Sequence, residues 1–368
     1  MTSEGLTYAA AGVDTEAGDK AVELMKDAVR RTHGPAVLGG VGGFAGLYDL
    51  SAFKDYRAPL LATSTDGVGT KVAIAQALDI HDTIGFDLVG MVVDDIVVVG
   101  AKPLFMTDYI ATGKVVPERI ADIVRGIAQA CEVAGTALVG GETAEHPGLL
   151  APDEYDVAGA ATGIVEADAV LGPDRVRAGD VLIAMASSGL HSNGYSLVRA
   201  VVKHAGWKLE RHVDDFGRTL GEELLEPTRV YASDVLALAA DPAAQVHAFT
   251  HVTGGGLAAN LARVLPTGLV ATVERGSWAV PPVFRVVREL GGVPRGDLEN
   301  TLNLGVGMVA VVGQDGADAA LARLAGLGVP AWVLGAVDVL DADTAGVELV
   351  AGTKGVDGGA VHLVGDYR

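Results

Sequence analysis

Residues 66–71 read DGVGTK and follow directly on the apolar run PLLATST at 59–65, while Asp94 and Asp95 stand side by side in the next apolar stretch. A strand that ends in a carboxylate, turns through two glycines and presents a lysine offers an oxygen ligand for a hard cation, backbone N–H groups and a fixed positive charge. Those are the parts a nucleotide triphosphate needs. Two readings of Asp66 stand at this point, a metal ligand and a turn carboxylate capping its own glycine loop. Two adjacent acids inside a valine-rich segment favour the first, because buried carboxylates cost too much unless a cation or a donor meets them. Lys71, at the start of a helix whose dipole disfavours a cation, points the same way toward an anionic ligand.

A second group of reactive types lies in SSGLHSNGYS at 187–196. There Ser188, Ser192, Asn193 and backbone N–H groups suit a phosphate monoester, and the His191 imidazole either moves a proton or satisfies a turn carbonyl. His251, just before Thr253 and a triple glycine, carries the same two readings. In GGETAEHPG at 140–148, Glu142 and Glu145 follow a double glycine at a strand end, where a ligand can approach the backbone closely. Asp49 and Asp108 read as structural, with support of a ligand-contacting residue as the second reading, and Lys26 reads, on composition alone, as a solvated residue of a charged helix face.

These side chains need elements to hold them. Ala21, Leu24, Met25, Ala28 and Val29 recur at helical spacing, so 17–32 is expected as an amphipathic helix. A glycine-rich loop at 38–46 then leads to a strand ending at DGVGTK. The stretch 82–100 has the length and apolar density of a buried helix, with Asp82 as its cap, although its valines also permit a strand. In the helix, Asp87, Asp94 and Asp95 share one face. A strand at 103–112, a helix opened by Pro117, and strands at 136–143 and 155–166 complete the first half. Turn residues at 167–180 mark a domain boundary near Leu171. Beyond it, a strand, a polar glycine turn and a helix run through 180–202, and an apolar run, a glycine turn and a helix through 247–265. The last thirty or so residues carry little order signal except AVHLV at 360–364, expected as an edge strand.

Composition limits the class. The chain has 368 residues, 49% hydrophobic and 20% charged, with 50 glycines, which fits a soluble two-domain α/β protein. With 27 Lys+Arg against 47 Asp+Glu the net charge is −20, so nucleic acid and anionic membrane are poor partners. The single cysteine, Cys131, cannot form an intrachain disulfide and suits the cytoplasm. No signal peptide or stretch of ~18 apolar residues is found. Gly40-Val41-Gly42 follows a helix rather than a strand, so the dinucleotide-fold reading fails, and GxxxxGK[ST], HExxH, paired CxxC and GxSxG are absent.

Read in order, YAAAGVD (8–14), GGVGGF (39–44), TDGVGTK (65–71), KPLFMTDYIATGK (102–114), VGGETAEHPG (139–148), SSGLHSNGYSLVR (187–199), HVTGGGL (251–257) and NLGVGM (303–308) make the chain resemble the phosphoribosylformylglycinamidine cyclo-ligase (aminoimidazole ribonucleotide synthetase) family over nearly its whole length. The resemblance implies an α/β (α+β) fold: an N-terminal mixed sheet with helices that dimerises at 1–170, a C-terminal α/β sandwich at 171–345 and an extension at 346–368. It implies ATP-dependent closure of formylglycinamidine ribonucleotide to aminoimidazole ribonucleotide in purine synthesis, with ATP and Mg²⁺ as cofactors, in a cytoplasmic homodimer. Carried over by position, Asp66 and Asp95 would hold Mg²⁺, with Asp94, which stands where many members carry asparagine, beside them. Gly40, Gly42, Gly43, Lys71, Gly140, Gly141 and Glu142 would contact the nucleotide. Lys26 becomes a candidate near the transferred phosphoryl group, with His191 and His251 as further catalytic candidates. Ser188, His191, Ser192 and Asn193 would cradle the ribose 5′-phosphate. Other ATP-using members of the superfamily are the alternative, against which SSGLHSNGYS speaks. A nucleotide-binding assembly protein without turnover is the alternative from a different class.

Overall fold

The computed structural model describes residues 12–40, 42–341, 348–352 and 358–368. In the first half, α1 (Thr15–Arg31) is capped by Asp14, whose side chain accepts from the Ala17 N–H. The short pair β1 (Val37–Leu38) and β2 (Leu47–Tyr48) brackets the glycine-rich loop. There follow β3 (Pro59–Gly67), α2 (Val72–Leu78), α3 (Ile84–Val97), β4 (Lys102–Thr112), α4 (Pro117–Ala134), β5 (Ala137–Glu145) and β6 (Tyr155–Glu166). The four longer strands form a sheet in the order β3-β6-β4-β5, parallel only between β4 and β5.

Alternation decides what covers this sheet. Met106, Ile110, Val157 and Ala161 point to the inner face, are buried and share one core with the apolar residues of α3 and α4. The outer face carries Leu61, Thr63, Thr65, Thr107 and Tyr109, all exposed. The apolar run 82–100 is a helix, as its length suggests. Its cap is Thr83 rather than Asp82, and the Thr83 side chain makes no capping hydrogen bond.

The second half contains β7 (Val181–Ala186), α5 (Tyr195–His204), β8 (His212–Val213), β9 (Arg218–Thr219), α6 (Leu220–Leu224), α7 (Ala232–Ala239), β10 (Val246–His251), α8 (Gly256–Ala262), β11 (Leu269–Glu274), α9 (Pro282–Gly291), α10 (Arg295–Glu299), β12 (Val306–Val312), α11 (Ala317–Gly326), β13 (Ala331–Val339), β14 (Val350–Ala351) and β15 (Ala360–Val364). Seven of these strands form one sheet, β10-β12-β7-β13-β11-β15-β14. On β7, Ile183 and Met185 enter the core shared with the first half, while Leu182 and Ala184 pack with α8 in a second core. The sheet is thus buried on both faces, which explains why VGMVAVV of β12 is apolar without alternation.

The tail departs from expectation. Residues 360–364 are no edge strand: β15 pairs in parallel with β11 and antiparallel with β14, so the extension is built into the sheet. Among the described residues no helix is long and apolar enough to cross a membrane.

Candidate functional site

Six of the residues expected around a nucleotide meet in one place. Gly40, Gly42, Gly43, Gly140, Gly141 and Glu142 line a cavity of about 610 Å³ between α1, the glycine-rich loop and the β4–β5 edge of the sheet. Its apolar wall comes from the stripe of α1 (Ala21, Val22, Met25, Val29), from Val124 of α4 and from Leu138. Glycine is required where the chain comes close: a Cβ at Gly46 would stand 2.8 Å from Val139, so the loop lies tight on β5. Gly42 has φ +106°, a left-handed conformation that other residues rarely adopt. Lys26 follows Met25 on α1, outside the lining, with its ammonium 2.6 Å from Glu23 Oε2.

Lys71 lies elsewhere. Its ammonium is fully buried, 2.7 Å from Asp87 Oδ1, and donates to the carbonyl oxygens of His191 (3.0 Å) and Glu226 (2.6 Å). Asp87 accepts in addition from the Thr228 N–H and hydroxyl. Burial pushes the Lys71 pKa down and the Asp87 pKa up, each opposed by the charge of the other. The anion expected for Lys71 is therefore a protein carboxylate, and all the reach of its side chain is spent inside the protein.

The acid pair divides. Asp94 is buried with both oxygens 3.0 Å from the Tyr231 N–H, and burial raises its pKa to about 7. It was expected beside the metal and is instead turned into the protein. Asp95, 44% exposed, places Oδ1 2.9 Å from His251 Nδ1. Asp66 is exposed at the end of β3 and accepts from the Gly67 N–H. Burial disfavours a charged His251, but the Asp95 hydrogen bond and the charges of Asp94, Asp95 and Asp66 outweigh it and raise its pKa. Its Nε2 is buried, with no partner among the described residues.

His191 is held at φ +61°. The Ser188 N–H donates to its Nε2 at 3.2 Å, which leaves Nδ1 as the protonated nitrogen, buried and with no partner among the described residues. Burial, then the positive charges of His251, Lys71 and Arg229, hold its pKa well below the usual histidine value, so the ring is neutral. The side chains expected to grip a phosphate are already engaged. The Ser188 hydroxyl donates to the Pro227 carbonyl, the Ser192 hydroxyl to the Val68 carbonyl, and the Asn193 amide to Met91 Sδ. They fix the 187–194 loop, which leaves backbone N–H groups as the donors for an anion there.

Sequence reading missed residues 226–231, which join α6 to α7. Their backbone groups meet Lys71, Asp87, Asp94 and Ser188. Backbone donors leave no residue-type signature, and Pro227 between two helical patterns is the only sign of a fixed turn. Among the described residues no three His, Cys, Asp or Glu side chains form a ready-made metal cage. The exposed carboxylates of Asp66 and Asp95 do suit Mg²⁺, which usually takes one or two carboxylates and completes its shell with phosphate and water.

One row across the sheet links the two clusters: Asp66 is opposite Gly159, Gly159 opposite Asp108, and Asp108 opposite Gly141. Asp66 and Asp108 are two strand spacings apart, roughly 10 Å.

Comparison with known proteins gives a consistent picture. Residues 49–165 match the family model "AIR synthase related protein, N-terminal domain", and residues 177–347 match its C-terminal counterpart. A phosphoribosylformylglycinamidine cyclo-ligase of Anaeromyxobacter sp. (strain Fw109-5) is 52% identical, covering 91% of this chain and 96% of the relative. The enzyme of that name from Geobacillus sp. (strain WCH70) is 50% identical over 90% of this chain and 95% of its own. Among solved structures, thiamine-monophosphate kinase from Stenotrophomonas maltophilia K279a superposes with a TM-score of 0.66 at 19% identity, covering 94% of this chain and 97% of the kinase. At that identity the likeness is one of fold.

Proposed function

Because the chain belongs to the phosphoribosylformylglycinamidine cyclo-ligase family, we propose that it converts formylglycinamidine ribonucleotide and ATP to aminoimidazole ribonucleotide, ADP and phosphate. The observation that carries this reading is 52% identity to a relative of that name across nine-tenths of the chain. In this reaction the amide oxygen of the substrate takes the γ-phosphoryl group, the amidine nitrogen attacks the activated carbon, and phosphate leaves as the imidazole closes. The work left to the protein is positioning and charge neutralisation.

The residues divide that work as follows. The glycine-walled cavity takes the adenosine end of ATP, and its volume falls in the range of ordinary ligand pockets. Asp66 and Asp95 would hold Mg²⁺, which supplies charge neutralisation on the phosphates when bound. His251, biased toward its charged form by Asp95, presents Nε2–H as a donor toward the transferred phosphoryl group. His191, neutral, presents Nδ1–H to a substrate oxygen and orients it. Backbone N–H groups of the 187–194 loop, ahead of α5, receive the ribose 5′-phosphate. Lys26, one residue beyond the cavity wall, has the reach to leave Glu23 for a phosphate.

The reading includes a homodimer formed through the outer face of the β3-β6-β4-β5 sheet, where Leu61 is 65% and Tyr109 41% exposed. It places the protein in the cytoplasm, where a buried, unpaired Cys131 needs no oxidising environment. The test is to incubate the purified protein with formylglycinamidine ribonucleotide, ATP and Mg²⁺ and to follow both products. Aminoimidazole ribonucleotide and ADP should form in equal amounts, each dependent on every reactant. Folded protein that binds ATP but closes no ring would overturn the assignment.

A further inference from the structure

The cavity assigned to adenosine holds a carboxyl group that the reaction above leaves unused. Asp108, on β4, is 9% exposed and lines the cavity. It is in register with Gly141 on the edge strand β5, and a Cβ at Gly141 would stand 1.8 Å from its Oδ1. The glycine therefore leaves the space the carboxyl group occupies and opens its way into the cavity. Among the described residues no side chain donates to it, its own N–H being the backbone group that acts on it. A carboxyl group on a cavity wall with no side chain bonded to it keeps hydrogen-bonding capacity for a ligand.

The surroundings say what kind of ligand. Met25 and Val29 from α1, Val124 from α4 and Leu138 from β5 form an apolar wall. A flat apolar ring with hydrogen-bonding atoms confined to one edge fits such a slot. Ribose, polar on every side, would leave hydroxyl groups unpaired there. Burial raises the Asp108 pKa to about 7, so near neutral pH the group offers an O–H beside a C=O in a large share of molecules. That pattern complements adenine, whose amino group donates while the adjacent ring nitrogen accepts, much as an asparagine side chain pairs with the same base.

We propose that Asp108 is the base-reading residue of this cavity, pairing its carboxyl group with the 6-amino edge of adenine. The proposal rests on the assignment of the cavity to ATP, and its test separates the two. Full-length protein, Asp108→Val, Asp108→Asn and Val22→Trp are titrated by calorimetry at pH 7 with the magnesium complexes of ATP and of purine riboside triphosphate, which lacks the 6-amino group. The native protein should favour ATP over the analogue by about tenfold or more, Asp108→Val should lose that preference, and Asp108→Asn should keep it. Val22→Trp, which puts a large ring into the slot from its α1 wall, should bind neither. If Val22→Trp binds ATP normally, the cavity is not the nucleotide site and both readings fall. If Val22→Trp abolishes binding while Asp108→Val still prefers ATP, only the role of Asp108 is overturned. Should Asp108→Val fail to fold, loss of the preference in Asp108→Asn, or its absence in the native protein, overturns it equally.

Discussion

Successive residues of α3 point about 100° apart, which sends Asp94 onto the Tyr231 N–H and leaves Asp95 at the surface beside His251. The same sequence pair thus does two jobs: one carboxylate holds the 226–231 segment, the other is available to a cation and biases an imidazole toward its charged form. Asp95→Asn removes the charge but keeps the shape. Turnover at limiting Mg²⁺ is expected to fall by about tenfold or more and to recover in part as Mg²⁺ is raised, as for residues that tune a metal site. Urea unfolding should move by no more than about 0.5 kcal/mol, the usual range for a surface substitution. Full activity at low Mg²⁺ would remove Asp95 from the metal site.

Among the elements, the turn before α2, the 187–194 loop and the 226–231 segment are held together by one buried ammonium. Lys71→Met would leave Asp87 buried beside Thr228 without its counter-charge, and a loss of about 3–5 kcal/mol of stability is expected. Lys71→Met combined with Asp87→Leu should recover part of that loss, because no unpaired charge remains. Urea titrations of the two variants provide the check, and a single variant as stable as the native protein would contradict the account. Sequence reading found the strands and helices that carry these segments because β3, α3, β4 and α4 are long and strongly patterned. It also named the glycines of both loops, which line one cavity. It could not find the Lys71–Asp87 pair, whose members sit on different helical elements, nor the role of 226–231, which acts through its backbone. The side chains of Ser188, Ser192 and Asn193, expected at a phosphate, are bonded within the protein for a related reason. Polar residues in a glycine turn serve the loop as readily as a ligand, and nothing in their types distinguishes the two uses.

At the scale of the whole molecule, the outer face of the first sheet carries exposed residues, Leu61 and Tyr109 among them, that no helix of the described residues covers. Thr63, Thr162 and Phe105 lie on one row and Thr65, Ala160, Thr107 and Gly140 on the next. Apart from Phe105, whose ring packs against Tyr48, these side chains are small and let a second sheet approach closely. If two copies pair through this face as proposed, the native protein should be a dimer and Ala160→Arg, at the centre of the face, a folded monomer as read by light scattering. A variant that remains dimeric would show that the copies meet elsewhere.

The strand order also fixes a timetable. The first sheet has all its strands once residue 166 has been made, but β7, which ends at Ala186, pairs with β12 and β13, which begin at Val306 and Ala331. From 186 to 306 is 120 residues, and at common rates of synthesis β7 waits on the order of ten seconds for its first neighbour. For β11 the wait ends only when β13 and then β15 emerge. A nascent chain therefore carries a finished first sheet followed by apolar strands with no partners, and during that interval it is most exposed to aggregation and most dependent on chaperones.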